Sequence, residues 1–261
     1  MKAKSKLFSK HILKQTVSQN WKWWVLFTGV ITLITVLVTI AVGTRDVMVH
    51  PVTGEVIQTS VISIYQNVFL GTVSPGIFLM LIYIILIGNK LIASEVDSGI
   101  LSITLNTPIT RAQIVFSKAL FYILSLVSLV LVLGVVSMIA TTALGLELDV
   151  IKLWLMLLAL FIYVFAVSGI CFFASCWFNK SGQSLTIGAG LPVTFLLLKM
   201  LADMLAELEF LKYFSINTLI NTTSIIAGTN TFLIGLSVLT VLGVALYTIG
   251  IIKFLKKDLP L

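Results

Sequence analysis

Long apolar runs recur six times along this chain, and each is about as long as a membrane-spanning helix. A helix needs about 20 predominantly apolar residues to cross the hydrocarbon core of a bilayer. We place six spans at residues 23–42, 68–92, 113–143, 152–177, 184–203 and 230–252. The runs lack the alternation of polar and apolar residues that transmembrane strands show, and backbone groups in lipid must be paired internally. The sequence therefore predicts an all-α membrane protein with six transmembrane helices.

Composition and charge support the same interpretation. Only 10% of the 261 residues are charged, whereas soluble domains carry about 25% charged residues. Basic residues in short loops favour the cytosolic side, and with both termini cytosolic the outer side holds four of the 17 basic residues: Arg45, Lys152, Lys199 and Lys212. This pattern predicts a multi-pass protein of the cell membrane that touches anionic lipid. Since the basic residues flank spans and form no patch with interleaved aromatics, we expect no nucleic-acid partner.

Residue patterns that carry catalysis or bind cofactors are missing from the sequence. It has no phosphate-binding G-x-x-x-x-G-K-[ST] loop, no H-E-x-x-H and no C-x-x-C. In this topology His11 and His50 lie on opposite sides of the membrane, and Cys171 and Cys176 are five residues apart, on different faces of one span. The sequence therefore predicts neither an enzyme site nor a cofactor or metal site in this chain.

The polar segment before the first span has helical spacing of its apolar residues. Phe8 and Ile12 are four residues apart, as are Leu13, Val17 and Trp21, and lysines occupy the other side. This spacing predicts an amphipathic helix over residues 1–22 that lies on the inner membrane surface. The alternative is a disordered basic tail held by a tryptophan anchor.

Two further features modify the simple pattern of spans. Ser74-Pro75-Gly76 interrupts the second apolar run, and the proline predicts a kink or break there. Residues 204–229 alternate leucines with charged residues, which predicts an amphipathic element on the outer face. Lys199 and Asp203, four residues apart, are expected to pair as a surface ion pair or as a charged contact lining an exit.

A short polar interruption separates the second and third spans. Ser94 is placed to cap a helix, with Asp97 at the third position, and Pro108 ends the helical stretch. The pattern predicts a cytosolic helix over residues 94–107. Val96, Ile100 and Ile103 would share one face, while Leu101 and Leu105 would lie on another. One side would rest on the spans and the other, which we assign to Leu101, would be free for a second protein. The alternative is a re-entrant or ordinary connecting loop without a partner.

The third span opens with a second local signal. Thr110-Arg111-Ala112-Gln113 matches a capping box, in which a threonine and a glutamine three residues later satisfy each other's backbone donors. The sequence therefore predicts that a new helix begins immediately after Thr110.

The same region resembles the signature of the ABC-2 type permease family. The resemblance rests on Glu95-x3-Gly99-Ile100-Leu101, then Leu105-x2-Pro108-Ile109-Thr110-Arg111, then Lys118. Ile100 stands where threonine is common in the family, and Thr110 stands where serine is common. The six spans, the amphipathic first helix and the amphipathic element before the sixth span extend the resemblance over the full length.

The resemblance implies a permease subunit that pairs with a second permease chain, as a homo- or heterodimer. Each subunit would bind a separate ATP-hydrolysing subunit, which would hold the ATP and Mg²⁺, through a coupling helix at residues 94–107. It assigns Glu95 and Gly99 to shaping that contact, and Pro108 and Arg111 to the turn into the third span. With the residues that the helical pattern adds, the expected coupling residues are Glu95, Asp97, Gly99, Leu101, Leu105, Pro108 and Arg111.

Families of this kind mostly export their substrates, and the small outer loops here favour a peptide, a drug or another amphipathic molecule. The acidic residues all lie at span ends or in loops, whereas ion-driven carriers place such groups inside the membrane. Energy for uphill transport would therefore come from another protein. The alternatives are a non-transport immunity or assembly protein of similar topology, and a membrane-embedded enzyme acting on lipids.

Overall fold

The computed structural model describes residues 8–43, 48–49, 56–57, 61–71, 74–101, 109–220 and 222–257. Helices dominate these residues: α1 Lys10–Gly43, α2 Val61–Phe69, α3 Pro75–Leu91, α4 Ala93–Asp97, α5 Arg111–Ala143, α6 Val150–Trp177, α7 Ser181–Met204, α8 Thr222–Ala227 and α9 Phe232–Lys256. Two 3-10 helices, η1 (Ala206–Phe214) and η2 (Ile216–Leu219), lie between α7 and α8. Two strands, β1 (Met48–Val49) and β2 (Val56–Ile57), pair antiparallel with Met48 opposite Ile57.

Six segments of the described chain are long and apolar enough to cross a membrane, which confirms the predicted number of spans. They are α1, α3 with α4, α5, α6, α7 and α9. The predicted and the observed boundaries differ most at the first two spans, where the helices begin at Lys10 and Pro75.

Helix α1 runs without a break, so the predicted boundary between an interfacial helix ending at residue 22 and a span beginning at residue 23 is absent. Its 34 residues measure about 51 Å, whereas the hydrocarbon core of a bilayer is about 30 Å thick. Ile12, Thr16 and Asn20 are buried at intervals of four residues and keep one face of the helix against the bundle. Residues 1–7 of the predicted interfacial helix lie outside the described residues.

The second apolar run is broken where the sequence predicts it. Helix α2 ends at Phe69 and α3 begins at Pro75, in the first turn, where a proline leaves no hydrogen bond unmade. The Ser74 hydroxyl accepts a hydrogen bond from the Ile77 amide at 3.1 Å and donates to the Val68 carbonyl at 2.5 Å. A side chain at Gly76 would meet that same carbonyl at 2.6 Å, so the two helices approach closely at a glycine. The membrane span therefore begins at Pro75 and not at residue 68.

The core lies around α6, the most buried of the six spans. Tyr247 of α9 stacks against Phe165 and Phe172 of α6, with ring centroids 5.3 and 4.9 Å away, and its hydroxyl lies 2.8 Å from that of Ser168. Gly169 and Gly243 face each other across this contact, and small residues let membrane helices pack closely. Cys171 and Cys176 of α6 are buried free thiols.

Successive spans alternate in direction, so the bundle has two ends. We call the Lys118 end the one where α1, α5 and α7 begin and α4, α6 and α9 finish, and the Lys212 end the opposite one. Among the described basic residues, the Lys212 end carries Lys152, Lys199 and Lys212, and the Lys118 end carries Lys10, Lys14, Lys22, Lys90, Arg111, Lys118, Lys180, Lys253, Lys256 and Lys257. Most of the described basic residues therefore lie at the Lys118 end.

At the Lys212 end the chain folds back after α7. The Ser215 hydroxyl donates to the carbonyl of Phe195 at 2.7 Å, and Lys199 Nζ donates to the carbonyl of Asn217 at 3.4 Å. Phe195 lies nine residues before the end of α7, so η1 returns about 13 Å along that helix. The predicted amphipathic element of residues 204–229 is thus built largely of 3-10 helix in its described part.

Lys199 and Asp203, the expected pair, interact electrostatically, and each has a further partner in the structure. Asp203 lies 3.9 Å from Lys212, which also contacts Glu209 at 3.2 Å. The fold-back of η1 brings Lys212 to the end of α7, while Lys199 points to the carbonyl of Asn217.

Candidate functional site

The connector between the second and third spans, residues 92–110, carries the candidate site. Helix α3 ends at Leu91, the chain turns at Ile92, and α4 follows at once as Ala93–Asp97. Ile92 is the N-cap of α4 and makes no side-chain cap, while Ser94 lies inside the helix. The prediction that Ser94 caps this helix is therefore wrong, because the helix begins two residues earlier than the capping pattern suggested.

Lys118 of α5 binds the connector and the end of α3 through two hydrogen bonds. Its ammonium group donates to the carboxylate of Glu95 in α4 and to the carbonyl oxygen of Leu91 at the end of α3. The side chain of Lys118 is 4% exposed and that of Glu95 is 19% exposed. A buried charge is costly unless it is paired and hydrogen-bonded, and here Lys118 also satisfies a carbonyl that the helix end leaves open. We call these three groups the Lys118 cluster.

Lys118 is part of the family signature but is not among the predicted coupling residues. The available signal was its position, eight residues into a long apolar span. An ionisable group at such a depth normally has a dedicated partner. The structure supplies that partner as Glu95, which the sequence analysis had selected for a different reason.

Asp97 joins the connector to the fifth span. Its carboxylate accepts a hydrogen bond from the Ser181 amide, the first residue of α7, at 3.1 Å. A carboxylate at this position is favourable because the N-terminus of a helix carries partial positive charge. Asn89 of α3 adds a second link, since its amide nitrogen donates to the Ser181 hydroxyl at 2.7 Å.

The fourth span supplies a further contact. The backbone amide of Ala93, at the start of α4, donates to the Ser175 hydroxyl of α6 at 2.9 Å. Ala93 and Ser175 are both fully buried. The five residues of α4 are therefore tied to three different spans, through Lys118, Ser175 and Ser181.

Beyond α4 the connector turns sharply at Gly99. This residue has φ +73°, in the left-handed region that glycine adopts at least cost, and the turn ends the helix after Asp97. Residues 100 and 101 are helical again. The described part of the connector is thus a helix, a turn and a second helical start, and not the single continuous helix expected over residues 94–107.

The turn changes which side chains face outward. Leu101 is 2% exposed and packs inside the chain, whereas Ile100 is 47% exposed. The prediction that Leu101 lies on the free side is therefore wrong, because it assumed one helical phase through Gly99. Val96 is buried, so it does not share a face with Ile100 either. Leu105 and Pro108, two further predicted coupling residues, lie outside the described residues.

The start of the third span is built as predicted. The Thr110 hydroxyl accepts from the Gln113 amide at 3.3 Å, and the Gln113 side chain accepts from the Thr110 amide at 3.1 Å, which confirms the capping box. Next to it, Arg111 donates to the carbonyl oxygen of Lys257 at 2.9 Å. Arg111 therefore links the beginning of α5 to the residue that directly follows α9.

Lys257 extends that link to the fourth span. Its ammonium group donates to the carbonyl oxygen of Cys176, near the end of α6, at 3.1 Å. Burial lowers the pKa of Lys257 to about 8, because desolvation disfavours the charged form. The Lys118 end is thus closed by contacts that join the connector, the third, fourth and fifth spans, and the end of the sixth.

Across the described ranges no group of three or more histidine, cysteine, aspartate or glutamate side chains could hold a metal ion. What the site offers is a short helix that is joined to three spans by polar contacts through Lys118, Ser175 and Ser181.

Comparison with known families identifies the class of protein. The model of the ABC-2 family transporter proteins matches residues 13–259, nearly the whole chain. The chain belongs to this family and is a multi-pass membrane component of a transporter. A comparison with curated proteins finds no match.

Proposed function

We propose that this chain is the permease subunit of an ATP-driven exporter. It forms the translocation pathway as a dimer, homo- or heteromeric, and couples to a separate ATPase subunit through the connector. ATP and Mg²⁺ belong to that partner, and the permease itself carries no catalytic residue. Peptides, drugs or other amphipathic molecules are the proposed substrates, because the connectors between the described spans at the Lys212 end are short.

The observation that carries the proposal is the attachment of α4 to three spans. Glu95 contacts Lys118 of α5, Asp97 contacts the start of α7, and Ala93 contacts Ser175 of α6. A partner that pushes on α4 would therefore move several spans together. Exposed Ile100, next to the turn at Gly99, is the apolar contact that we assign to the partner.

The distribution of charge supports a cytosolic Lys118 end. Ten of the described basic residues lie at this end and three at the other, and positive charge in short loops stays cytosolic. Both chain termini and the connector are then cytosolic, on the side where ATP is available. The chain is placed in the cell membrane on the same grounds.

A non-transport immunity or assembly protein of similar topology is the second candidate. It would need no nucleotide-binding partner, and it would tolerate changes at Glu95 that leave the fold intact. Membership of a transporter family favours the first candidate.

A tagged purification in mild detergent tests the proposal. We expect a stoichiometric ATPase to co-purify and the complex to hydrolyse ATP. Recovery of the chain alone, under conditions that preserve a known transporter complex, would support the immunity or assembly protein instead.

The role of the connector is tested in the same complex with Glu95→Gln, which keeps the size of the side chain. The matched control is Glu209→Gln, whose pair with Lys212 lies at the opposite end. Because Glu95→Gln removes the charge that pairs with buried Lys118, it should also lower stability. At a temperature where it elutes as the wild type does, we expect it to retain the ATPase but to lose coupled transport, and Glu209→Gln to behave as wild type. Normal transport by Glu95→Gln would refute the assignment of the connector.

A further inference from the structure

An apolar groove of about 410 Å³ runs between α1 and α5 on the outside of the bundle. Its walls include Val17 and Trp21 of α1, and Leu124 and Leu131 of α5, which are 42–51% exposed. None of the ten described residues that line it is charged. The groove begins near the Lys118 end and extends toward the middle of the membrane.

The groove exists because α1 runs obliquely to α5. The Ser9 amide donates to the Ser117 hydroxyl at 3.1 Å, and the Trp24 indole donates to the Ser125 carbonyl at 3.2 Å. Between these two points α1 advances 15 residues, about 22 Å, whereas α5 advances 8 residues, about 12 Å. Two segments that cover such different lengths between the same two contacts do not run parallel, and the groove lies in the space between them.

The polar atoms inside the groove are already engaged. The Ser125 hydroxyl donates to the carbonyl of Tyr122 at 2.7 Å, and the Ser128 hydroxyl donates to that of Ser125 at 2.9 Å. The Trp24 indole is occupied by the contact described above. What the groove presents to an occupant is therefore hydrocarbon, which fits an acyl chain better than a polar solute.

Two lysines mark the mouth of the groove. Lys10 and Lys14 are exposed and lie one to three turns before Val17 and Trp21 on the same face of α1, at spacings of 3, 7 and 11 residues. The first 45 residues of the chain contain no aspartate or glutamate, so α1 itself offers these lysines no counter-charge. Lysines at a membrane surface attract anionic lipid headgroups.

We propose that this groove binds one phospholipid with an anionic headgroup, its phosphate at Lys10 and Lys14 and an acyl chain along Val17, Trp21 and Leu124. The apolar lining of the groove suits the acyl chain, and the two lysines at its mouth suit the anionic headgroup. A helix from a second copy is about 10 Å across. It would need α1 and α5 to separate where the Ser9–Ser117 and Trp24–Ser125 contacts hold them.

Native mass spectrometry of the purified protein, titrated with palmitoyl-oleoyl-phosphatidylglycerol or with the phosphatidylcholine of the same chains, tests this proposal. The double variant Lys10→Gln/Lys14→Gln removes the charge at the mouth, and Val17→Trp fills the groove. The matched control, Lys180→Gln/Lys256→Gln, removes two exposed lysines from the same end but away from the groove.

We expect tight retention of one phosphatidylglycerol by the wild type and weaker retention of phosphatidylcholine. Loss of two surface lysines should weaken phosphatidylglycerol binding roughly 10- to 30-fold, and Val17→Trp should abolish retention of both lipids. The control should bind as the wild type does.

Three results would overturn the proposal. One is unchanged phosphatidylglycerol binding by both groove variants, and another is an equal loss in the control. The third is a disulfide between two copies that carry Leu124→Cys, formed in place of lipid binding, since it would assign the groove to a second chain. A groove variant that elutes as aggregate is replaced by Leu131→Trp, which fills the same groove from α5.

Discussion

At the Lys118 end a largely buried ion pair connects two spans, whereas the ion pairs at the Lys212 end are surface contacts between residues three to nine apart. Glu95 and Lys118 are 23 residues apart and largely buried. Glu209 and Lys212 are three residues apart, with side chains 70% and 34% exposed. Both pairs join a carboxylate to an ammonium group. Only in the Glu95–Lys118 pair would removal of one partner leave the other charge buried and unsolvated. The comparison indicates that long-range polar links concentrate at the end proposed for coupling.

The largest effect should follow removal of the buried cation. Lys118→Met keeps most of the apolar stem but leaves Glu95 and the Leu91 carbonyl without their partner. Breaking one side of a buried pair typically costs about 3–5 kcal/mol. We expect the free energy of unfolding in detergent, measured by denaturant titration, to fall by about that amount.

The double variant Lys118→Met/Glu95→Gln separates the unpaired charge from the loss of packing. It should recover part of the stability, because the remaining group is neutral. A double variant as unstable as Lys118→Met would show that the charge of Glu95 is not the cause.

A smaller effect should follow substitution of the glycines that turn the chain at each end. Gly99 in the connector and Gly145 after α5 have φ +73° and +64°, with open space where a side chain would project. Alanine at either position should cost about 1–2 kcal/mol through backbone strain alone. The two variants form a matched pair, since the strain is similar but the location differs.

The two variants test whether the two ends differ in function. We expect Gly99→Ala and Gly145→Ala to lower the melting temperature by similar amounts. Coupled transport, measured at a temperature where both remain folded, should fall for Gly99→Ala alone. Equal transport by the two variants would contradict a special role for the Lys118 end.

Local sequence patterns predict most of the fold but few of the contacts in the candidate site. Apolar runs mark the spans because the length of a run is a local property, and the capping box of Thr110 and Gln113 involves residues three apart. The contacts of Asp97 with Ser181 and of Arg111 with Lys257 span 84 and 146 residues. Such pairs depend on the packing of the bundle and leave no local pattern. The error at Leu101 has another cause, since a left-handed glycine resets the helical phase on which the prediction depended.

A weaker, pH-dependent effect is expected at Lys257. Its pKa in the folded protein is about 8, below the ordinary value of 10.5. Between these values the unfolded chain binds more protons than the folded one, so stability rises with pH. Below pH 8 the cost of burying the charged form is fully present. We expect the melting temperature to increase as the pH is raised from 8 toward 10.5.

The variant Lys257→Met should reduce the increase of the melting temperature with pH. It keeps the backbone carbonyl that accepts the hydrogen bond of Arg111. The neighbouring Lys256 is exposed, so Lys256→Met should leave the rise unchanged. Identical pH profiles for Lys257→Met and the wild type would assign the titration to another group.

The smallest effect belongs to the Lys212 end. Lys212 contacts Glu209 at 3.2 Å and Asp203 at 3.9 Å, and its side chain is 34% exposed. Exposed ion pairs contribute about 0–1 kcal/mol, because water solvates the charges whether or not they pair. We expect Lys212→Met to change the free energy of unfolding by less than about 1 kcal/mol, in the same titration used for Lys118→Met. Loss of stability as large as that of Lys118→Met would mean that η1 is held in place by this pair, and that the two ends do not differ in the way their burial indicates.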